Sequence, residues 1–139
     1  MKEKIISIIN QFIKFGLVGI LNTAISQGIT YGIIFLFKHL GTNISENVLV
    51  FGASFIGFLI SVLNSYYWNN KYVFQKTNAN TWWPLVKSYV CYGSTWLLSF
   101  LITFSLLSLI SISVILVPII SMVITIPLNF LMNKFWAFK

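Results

Sequence analysis

The sequence predicts an all-α integral membrane protein with four transmembrane helices, and three observations predict it. Hydrophobic residues make up 58% of the 139 positions and charged residues only 8%, whereas a soluble domain carries about 25% charged residues. A soluble domain this small buries only part of its surface, so lipid must cover much of the apolar surface of this chain. The polar residues also separate four apolar stretches that are each long enough to cross a bilayer.

The first two spans are predicted at about 15–37 and 49–67, joined by a short polar loop. About 22 residues at about 1.5 Å each cover about 33 Å, which is enough for the hydrocarbon core. Before them, residues 1–12 combine lysines with isoleucines at helical spacing, which indicates an interfacial amphipathic helix. A polar loop is expected to follow the second span over 69–80.

The last two spans are predicted at about 85–107 and 115–132. A serine-rich turn at 108–113 is expected to join them; in an alternative arrangement the two stretches form one re-entrant unit. Pro118 and Pro127 remove helical hydrogen bonds and predict kinks in the fourth span. Such kinks are tolerated in membrane helices where neighbouring groups or water satisfy the freed carbonyls.

The lysines predict the orientation. All basic residues of the chain are lysines, and a four-span arrangement places every one except Lys38 on the same side of the membrane. The positive-inside rule then puts both termini and the middle loop in the cytosol. The two halves consequently have the same orientation, as two parallel helix-pair repeats. We expect residues 1–139 to form a single membrane domain.

A sequence motif that occurs twice favours the two-repeat interpretation. Residues 51–74 align without gaps to residues 115–138, and Asn69 and Phe74 then match Asn133 and Phe138. The alternative is shared interface chemistry, because any helix that leaves the bilayer on the cytosolic side collects aromatic residues and lysines.

Asparagines inside or at the ends of the spans are candidates for binding. Buried amides cost free energy unless they are hydrogen-bonded. Two interpretations stay open: helix caps and interhelical hydrogen bonds worth about 0.6–2 kcal/mol each, or a polar groove for a hydroxyl-rich cargo. The five asparagines are Asn22, Asn64, Asn69, Asn129 and Asn133.

Four lysines at a similar depth are candidates for binding a lipid phosphate. Lys87 lies about one turn inside the third span, where it either extends to lipid phosphates or faces inward and holds a phosphate as a compact charge. A basic ring at the cytosolic mouth is the resulting hypothesis. Its members are Lys14, Lys71, Lys87 and Lys134.

Small residues predict where helices pack. Gly28 and Gly32 in the first span, and Ala53 and Gly57 in the second, have the spacing that lets two membrane helices approach closely. We expect both pairs to be packing faces rather than ligand contacts.

Several function classes are disfavoured. No carboxylate lies inside a predicted span, since Glu3 is terminal and Glu46 lies in a loop; a proton-coupled small-molecule exporter normally needs one. The sequence has no cluster of metal ligands and no nucleophile–base set, so we expect no catalysis, no metal and no cofactor. Because the lysines border apolar helices, we expect the membrane surface as a partner and not nucleic acid.

Residues 12–23 and 129–138 resemble the opening and closing signatures of the GtrA-like family, and Asn69 with Val73 and Phe74 is similar to the end of its second helix. The resemblance spans essentially the whole chain. It implies a multi-pass protein of the bacterial cytoplasmic membrane that serves surface glycosylation, for example of teichoic acid or O-antigen. Members are thought to move polyprenyl-phosphate-linked monosaccharides from the inner to the outer leaflet.

By matching position, the resemblance implies functional roles for particular residues, while Trp136 and Phe138 belong to the closing motif. The implied functional residues are Asn69, Val73, Phe74, Lys87 and Asn129. The chain departs from the family pattern at Lys134, where many members carry arginine, and at Pro118, where many carry a basic residue. A rival interpretation is a non-transporting subunit that positions a membrane glycosyltransferase. A homo-oligomer is a further hypothesis, because four short helices make a thin wall.

Overall fold

The computed structural model describes residues 2–75, 82–109 and 116–139, and within these ranges it is helical without strands. Each of the four helices is long and apolar enough to cross a membrane, which confirms the prediction of a four-span membrane protein. The turn predicted around Ser111 and Ser113 and the side chain of Pro118 lie outside the described part of the chain. The helices are α1 (Lys2–His39), α2 (Glu46–Trp68), α3 (Trp83–Leu109) and α4 (Leu116–Met132).

Two short π-helical turns extend α2 and α4. The first, π1, spans Asn69–Val73 and the second, π2, spans Asn133–Ala137. The loop predicted from residue 69 onward is therefore wrong over these first positions, because the helix continues there. Burial explains the difference. Asn69 is 0% and Val73 2% exposed, and the turn packs against α1.

The residues form two compact units, Met1–Gln75 and Lys76–Lys139, and each is a helical hairpin. In the first unit, α1 and α2 run antiparallel. The ring centroid of Phe15 lies 6.3 Å from that of Phe74 at one end. Farther along, the hydroxyl of Thr30 donates to the carbonyl oxygen of Ala53 at 3.4 Å.

The closest approach of α1 to α2 is at Gly57. A Cβ atom at this position would lie 2.7 Å from the carbonyl oxygen of Ser26 and 2.7 Å from Oγ1 of Thr30. Ala53, one turn earlier on α2, is 2% exposed. The predicted packing face of Ala53 and Gly57 is therefore confirmed, and the absence of a side chain at Gly57 makes the close contact possible.

The other small-residue pair does not pack in this hairpin. Gly28 and Gly32 are exposed, and a Cβ atom at either position would meet nothing within 4 Å. Thr30, which lies between them in the sequence, faces α2 and is 7% exposed. Residues two positions apart lie on nearly opposite sides of an α-helix, so both glycines point away from α2. The first hairpin does not use this pair, and a packing face at Gly28 and Gly32 stays a prediction.

Helix α1 is longer than the predicted span. It runs without a break from Lys2 to His39, so residues 2–12 do not form a separate helix from the span. No proline interrupts the chain between them, and the helical pattern continues. At about 1.5 Å per residue the helix is about 57 Å long, against about 30 Å of hydrocarbon. Because Phe15 lies beside Phe74, the residues before it extend past the end of π1.

The second unit is also an antiparallel hairpin. Near one end, Nζ of Lys87 on α3 donates to the carbonyl oxygen of Trp136 on π2 at 3.2 Å. Toward the other end, the hydroxyl oxygens of Thr103 and Ser121 are 3.4 Å apart. The side chain of Cys91 is fully buried between these contacts.

Candidate functional site

Lys87 connects the beginning of α3 to the end of the second hairpin. Its ammonium donates to the carbonyl oxygen of Trp136 at 3.2 Å and lies 5.6 Å from the centroid of the Trp136 ring. The side chain is partly buried. An ammonium has three donors, so this contact leaves donors for an anionic ligand while the carbonyl fixes the position of the charge.

A pair of amides lies one and two turns before Trp136. Nδ2 of Asn133 donates to the carbonyl oxygen of Asn129 at 2.9 Å and to its Oδ1 at 2.8 Å. Asn133 is 0% exposed, and its Oδ1 has no hydrogen-bond partner among the described residues. A buried acceptor left unpaired costs about 1–3 kcal/mol, so this oxygen is suited to accept a hydrogen bond from a ligand hydroxyl or from water.

Lys134 lies against two aromatic rings of the same hairpin. Its Nζ is 5.5 Å from the ring centroid of Phe130 and 5.8 Å from that of Phe135. A cation over an aromatic face is stabilised by the ring quadrupole. Phe138, which follows π2, is 3% exposed and Trp136 is more exposed, at 43%. Phe138 is therefore a packing residue, whereas Trp136 is accessible.

Lys71 is surrounded by aromatic side chains at the end of the first hairpin. Its Nζ donates to the hydroxyl of Tyr67 at 3.1 Å and lies 5.2 Å from the ring centroid of Tyr72. Trp68 stacks on Tyr72 with centroids 5.1 Å apart, and its indole N–H donates to Oδ1 of Asn64 at 3.0 Å. The five side chains form one connected polar and aromatic cluster, typical of a membrane interface.

The buried amides of the first hairpin differ in their surroundings. Nδ2 of Asn69 donates to Oγ of Ser65 at 3.1 Å, and both residues are fully buried. Oδ1 of Asn22 and Nδ2 of Asn64 are buried without a hydrogen-bond partner among the described residues. Val73, the last residue of π1, is also buried. Asn69 therefore has a packing role, whereas Asn22 and Asn64 each have one buried polar atom without a partner in the described part of the chain.

Lys14 lines an open cleft of about 370 Å³, which we call the N-terminal cleft. One wall is a face of α1 before the span, and the other is the end of π1 with the residue that follows Phe74. The lining residues are Glu3, Ile6, Ser7, Asn10, Gln11, Lys14, Val73 and Gln75. Gln75 has a φ of 50°, in the left-handed region, and the chain turns there.

The structure brings together some of the predicted site residues. Lys87 contacts Trp136, and Asn129 pairs with Asn133, all within the second hairpin. The hypothesis of a ring of four lysines stays a prediction, since two of them belong to each hairpin. No group of three histidine, cysteine or carboxylate side chains lies together in the described ranges.

Sequence reasoning missed the polar face of the N-terminal cleft. Glu3, Ser7, Asn10 and Lys14 recur at intervals of three and four residues, which places them on one side of a helix. The lysines and isoleucines of this segment predict only an interfacial helix. The polar spacing was visible in the sequence, but the opposing wall at Val73 was not.

The comparison with known families covers nearly the whole chain. The family described as GtrA/DPMS, transmembrane domain, matches residues 14–138. A search of curated proteins gives no match.

Proposed function

The chain belongs to the GtrA/DPMS transmembrane-domain family, and from this premise we propose that it is a flippase, or a component of one, for a polyprenyl-phosphate-linked monosaccharide. The cargo moves from the inner to the outer leaflet of the bacterial cytoplasmic membrane. There the sugar serves the glycosylation of teichoic acid or another surface polysaccharide. No covalent step is assigned to this chain.

The contact between Lys87 and Trp136 is the observation that carries the proposal. A sugar linked through a phosphodiester to a polyprenol has one negative charge beside a ring with several hydroxyls. Lys87 offers one fixed positive charge, and the carbonyl of Trp136 holds it at 3.2 Å. A lysine ammonium binds phosphate as a point charge. The single positive charge of Lys87 thus matches the single negative charge of the phosphodiester.

The amide pair in the same hairpin supports recognition of the sugar hydroxyls. Asn133 is buried one turn before Trp136, and its Oδ1 accepts no hydrogen bond from any residue that the structure describes. A sugar hydroxyl that donates to this oxygen would satisfy a group that is costly to leave unpaired in an apolar environment. The polyprenyl tail has no need of a protein groove, because it is as apolar as the surrounding lipid.

The distribution of lysines supports the direction of entry. In the four-span arrangement, each hairpin begins and ends on the side of the membrane that carries almost all the lysines. The positive-inside rule assigns this side to the cytosol. Lys87 lies at that end of its hairpin. The charge would therefore meet the cargo in the leaflet where it is synthesised.

The experiment is a leaflet-accessibility assay in liposomes that contain the purified chain and a polyprenyl-phosphate sugar. Glucosyl and N-acetylglucosaminyl lipids are the two probes. We expect transfer by the wild type and at least about a tenfold loss in Lys87→Met, the equivalent of about 1.4 kcal/mol. Lys139→Met is the matched control, because it removes the same charge from an exposed residue. Absence of transfer by the folded wild type with both probes would contradict the proposal.

The second candidate is a non-transporting subunit that holds a membrane glycosyltransferase, and the exposed face of Gly28 and Gly32 favours it. Small exposed residues let another membrane helix approach closely. In that case Gly28→Leu with Gly32→Leu should prevent co-purification of the glycosyltransferase. Gly93→Leu on α3 is the control and should not prevent it, because a Cβ atom at this position also meets nothing within 4 Å. A second copy of the chain is the other occupant of this face, and the size of the purified particle distinguishes the two.

A further inference from the structure

The N-terminal cleft is open to one side and has the volume of a site for a small polar ligand. Its volume of about 370 Å³ lies within the range of about 300–1,000 Å³ that is common for small-molecule sites. The cleft lies in the first hairpin alone. Its lining residues have no part in the function proposed above, which uses Lys87 and Asn133 of the second hairpin.

The lining combines donors and acceptors without a strong net charge. Glu3 supplies a carboxylate that only accepts, Lys14 an ammonium that only donates, and Ser7 and Asn10 groups that do both. Ile6 and Val73 add apolar surface. A neutral ligand with many hydroxyls, such as a sugar ring, matches this mixture because its edge is polar and its faces carry C–H groups.

Other ligand classes fit the cleft less well. A free phosphate would find a single cation, Lys14, to balance its charge. A divalent cation would find a single carboxylate where several oxygen ligands of that charge are usual. The lining therefore favours a polyol over either ion.

The position of the cleft in the chain points to selectivity. Its polar residues from Glu3 to Gln11 precede residue 14, where the match to the family begins. They stand on the part of α1 that extends past π1, on the lysine-rich side of the hairpin. This wall therefore lies outside the matched residues.

We propose that the N-terminal cleft binds the sugar ring of the lipid and selects between head groups. This inference rests on the proposed function for the identity of the lipid. The sugar edge hydrogen-bonds to Ser7, Asn10 and Glu3, and Ile6 and Val73 contact a face of the ring. Lys14, next to the span, lies where the phosphate follows the sugar, so the cleft is a selection site separate from the one that Lys87 and Asn133 form in the second hairpin.

The test compares the binding of two lipids to the intact chain in nanodiscs. The probes are polyprenyl phosphate and the same lipid carrying a glucosyl or an N-acetylglucosaminyl group. We expect the wild type to prefer a glycosylated lipid by about fivefold or more, which corresponds to about one net hydrogen bond. Ser7→Phe fills the cleft from an exposed position and should remove this preference while the binding of polyprenyl phosphate is unchanged.

Ile8→Phe is the matched control, because it adds the same ring to the neighbouring exposed position outside the cleft. It should keep the preference. Asn10→Leu is a second cleft variant that should lose it. A wild type without preference for either glycosylated lipid, or a Ser7→Phe variant that keeps the preference, would overturn the inference. A preference that Ser7→Phe removes, in a wild type that does not translocate the lipid, would keep the cleft and contradict only the flippase proposal.

Discussion

Asn69 and Asn133 have the same local role at the ends of the two hairpins. Each is 0% exposed and begins a π-helical turn. The carbonyl oxygen of Asn69 accepts the N–H of Phe74, and that of Asn133 accepts the N–H of Phe138, both at 2.8 Å. Short π-helical segments are rare and frequently occur at functional sites. The shared arrangement supports the hypothesis that the two hairpins are repeats.

The amide of Asn133 should be much less replaceable than that of Asn129. Asn133→Asp removes the donor and places a carboxylate against two oxygens of Asn129 in a fully buried position. An uncompensated buried charge costs about 3–5 kcal/mol, so we expect a loss of that order in the free energy of unfolding. The measurement is denaturation of the purified chain in mixed micelles.

Asn129→Asp is the matched control for this change. Asn129 is only partly buried, and an aspartate keeps the oxygen that accepts from Asn133. We expect a cost of about 1 kcal/mol, close to that of one ordinary hydrogen bond. Equal losses for the two aspartates would contradict the assigned direction of the hydrogen bond.

Glycine is required at position 57 but not at position 28. In Gly57→Ala the new methyl group would lie 2.7 Å from the carbonyl oxygen of Ser26, so α1 and α2 must move apart. Overpacking of this kind costs about 1–3 kcal/mol. Gly28→Ala adds the same methyl where nothing lies within 4 Å, and alanine is the better helix former by up to about 1 kcal/mol.

The measurement for this pair is again the free energy of unfolding in mixed micelles. Gly57→Ala should lower it and Gly28→Ala should leave it unchanged or raise it. A destabilised Gly28→Ala variant would mean that this face is already packed against another chain in the purified protein.

The sequence was sufficient for the parts of the fold that depend on hydrophobic length. Four apolar stretches predicted four spans, and the spacing of Ala53 and Gly57 predicted a close approach. The equivalent spacing of Gly28 and Gly32 predicted a contact that the hairpin does not make. Spacing places two residues on one face of a helix, but which face meets the neighbour depends on the whole interface, and Thr30 occupies it here.

The site was predictable as a set of residue types and not as a geometry. Polarity in an apolar span selected Lys87 and Asn133, and the resemblance added the closing motif. The contact of Lys87 with the carbonyl of Trp136 is between residues far apart in the sequence, so no local pattern encodes it. The π-helical continuation at Asn69 was not predicted, because asparagine and lysine are typical of loops. Burial of Asn69 and Val73, four residues apart, keeps this turn helical.

The lysine-rich ends of the hairpins should face the cytosol. Cys91 is the only cysteine and is fully buried, so Cys91→Ser gives a background for single cysteines. In that background Asn43→Cys, in the exposed loop between α1 and α2, should react in intact cells with a membrane-impermeant thiol reagent. Lys139→Cys should react only after the cells are permeabilised. Reversed labelling would contradict the proposed orientation, and labelling of both sites in intact cells would indicate insertion in two directions.

The repeat hypothesis predicts that a residue can be exchanged between hairpins. Asn69 uses Oγ of Ser65 as its acceptor at 3.1 Å, and Asn133 uses Oδ1 of Asn129 at 2.8 Å. Asn129→Ser therefore gives the second hairpin the partner that the first one has. We expect it to keep most of the stability, whereas Asn129→Ala should lose about 0.6–2 kcal/mol, the value of one hydrogen bond between membrane helices or turns. Unfolding in mixed micelles measures the difference, and transport activity should follow the same order. If serine were no better than alanine at this position, the two asparagine turns would be similar only in outline, and shared interface chemistry would explain the recurring sequence.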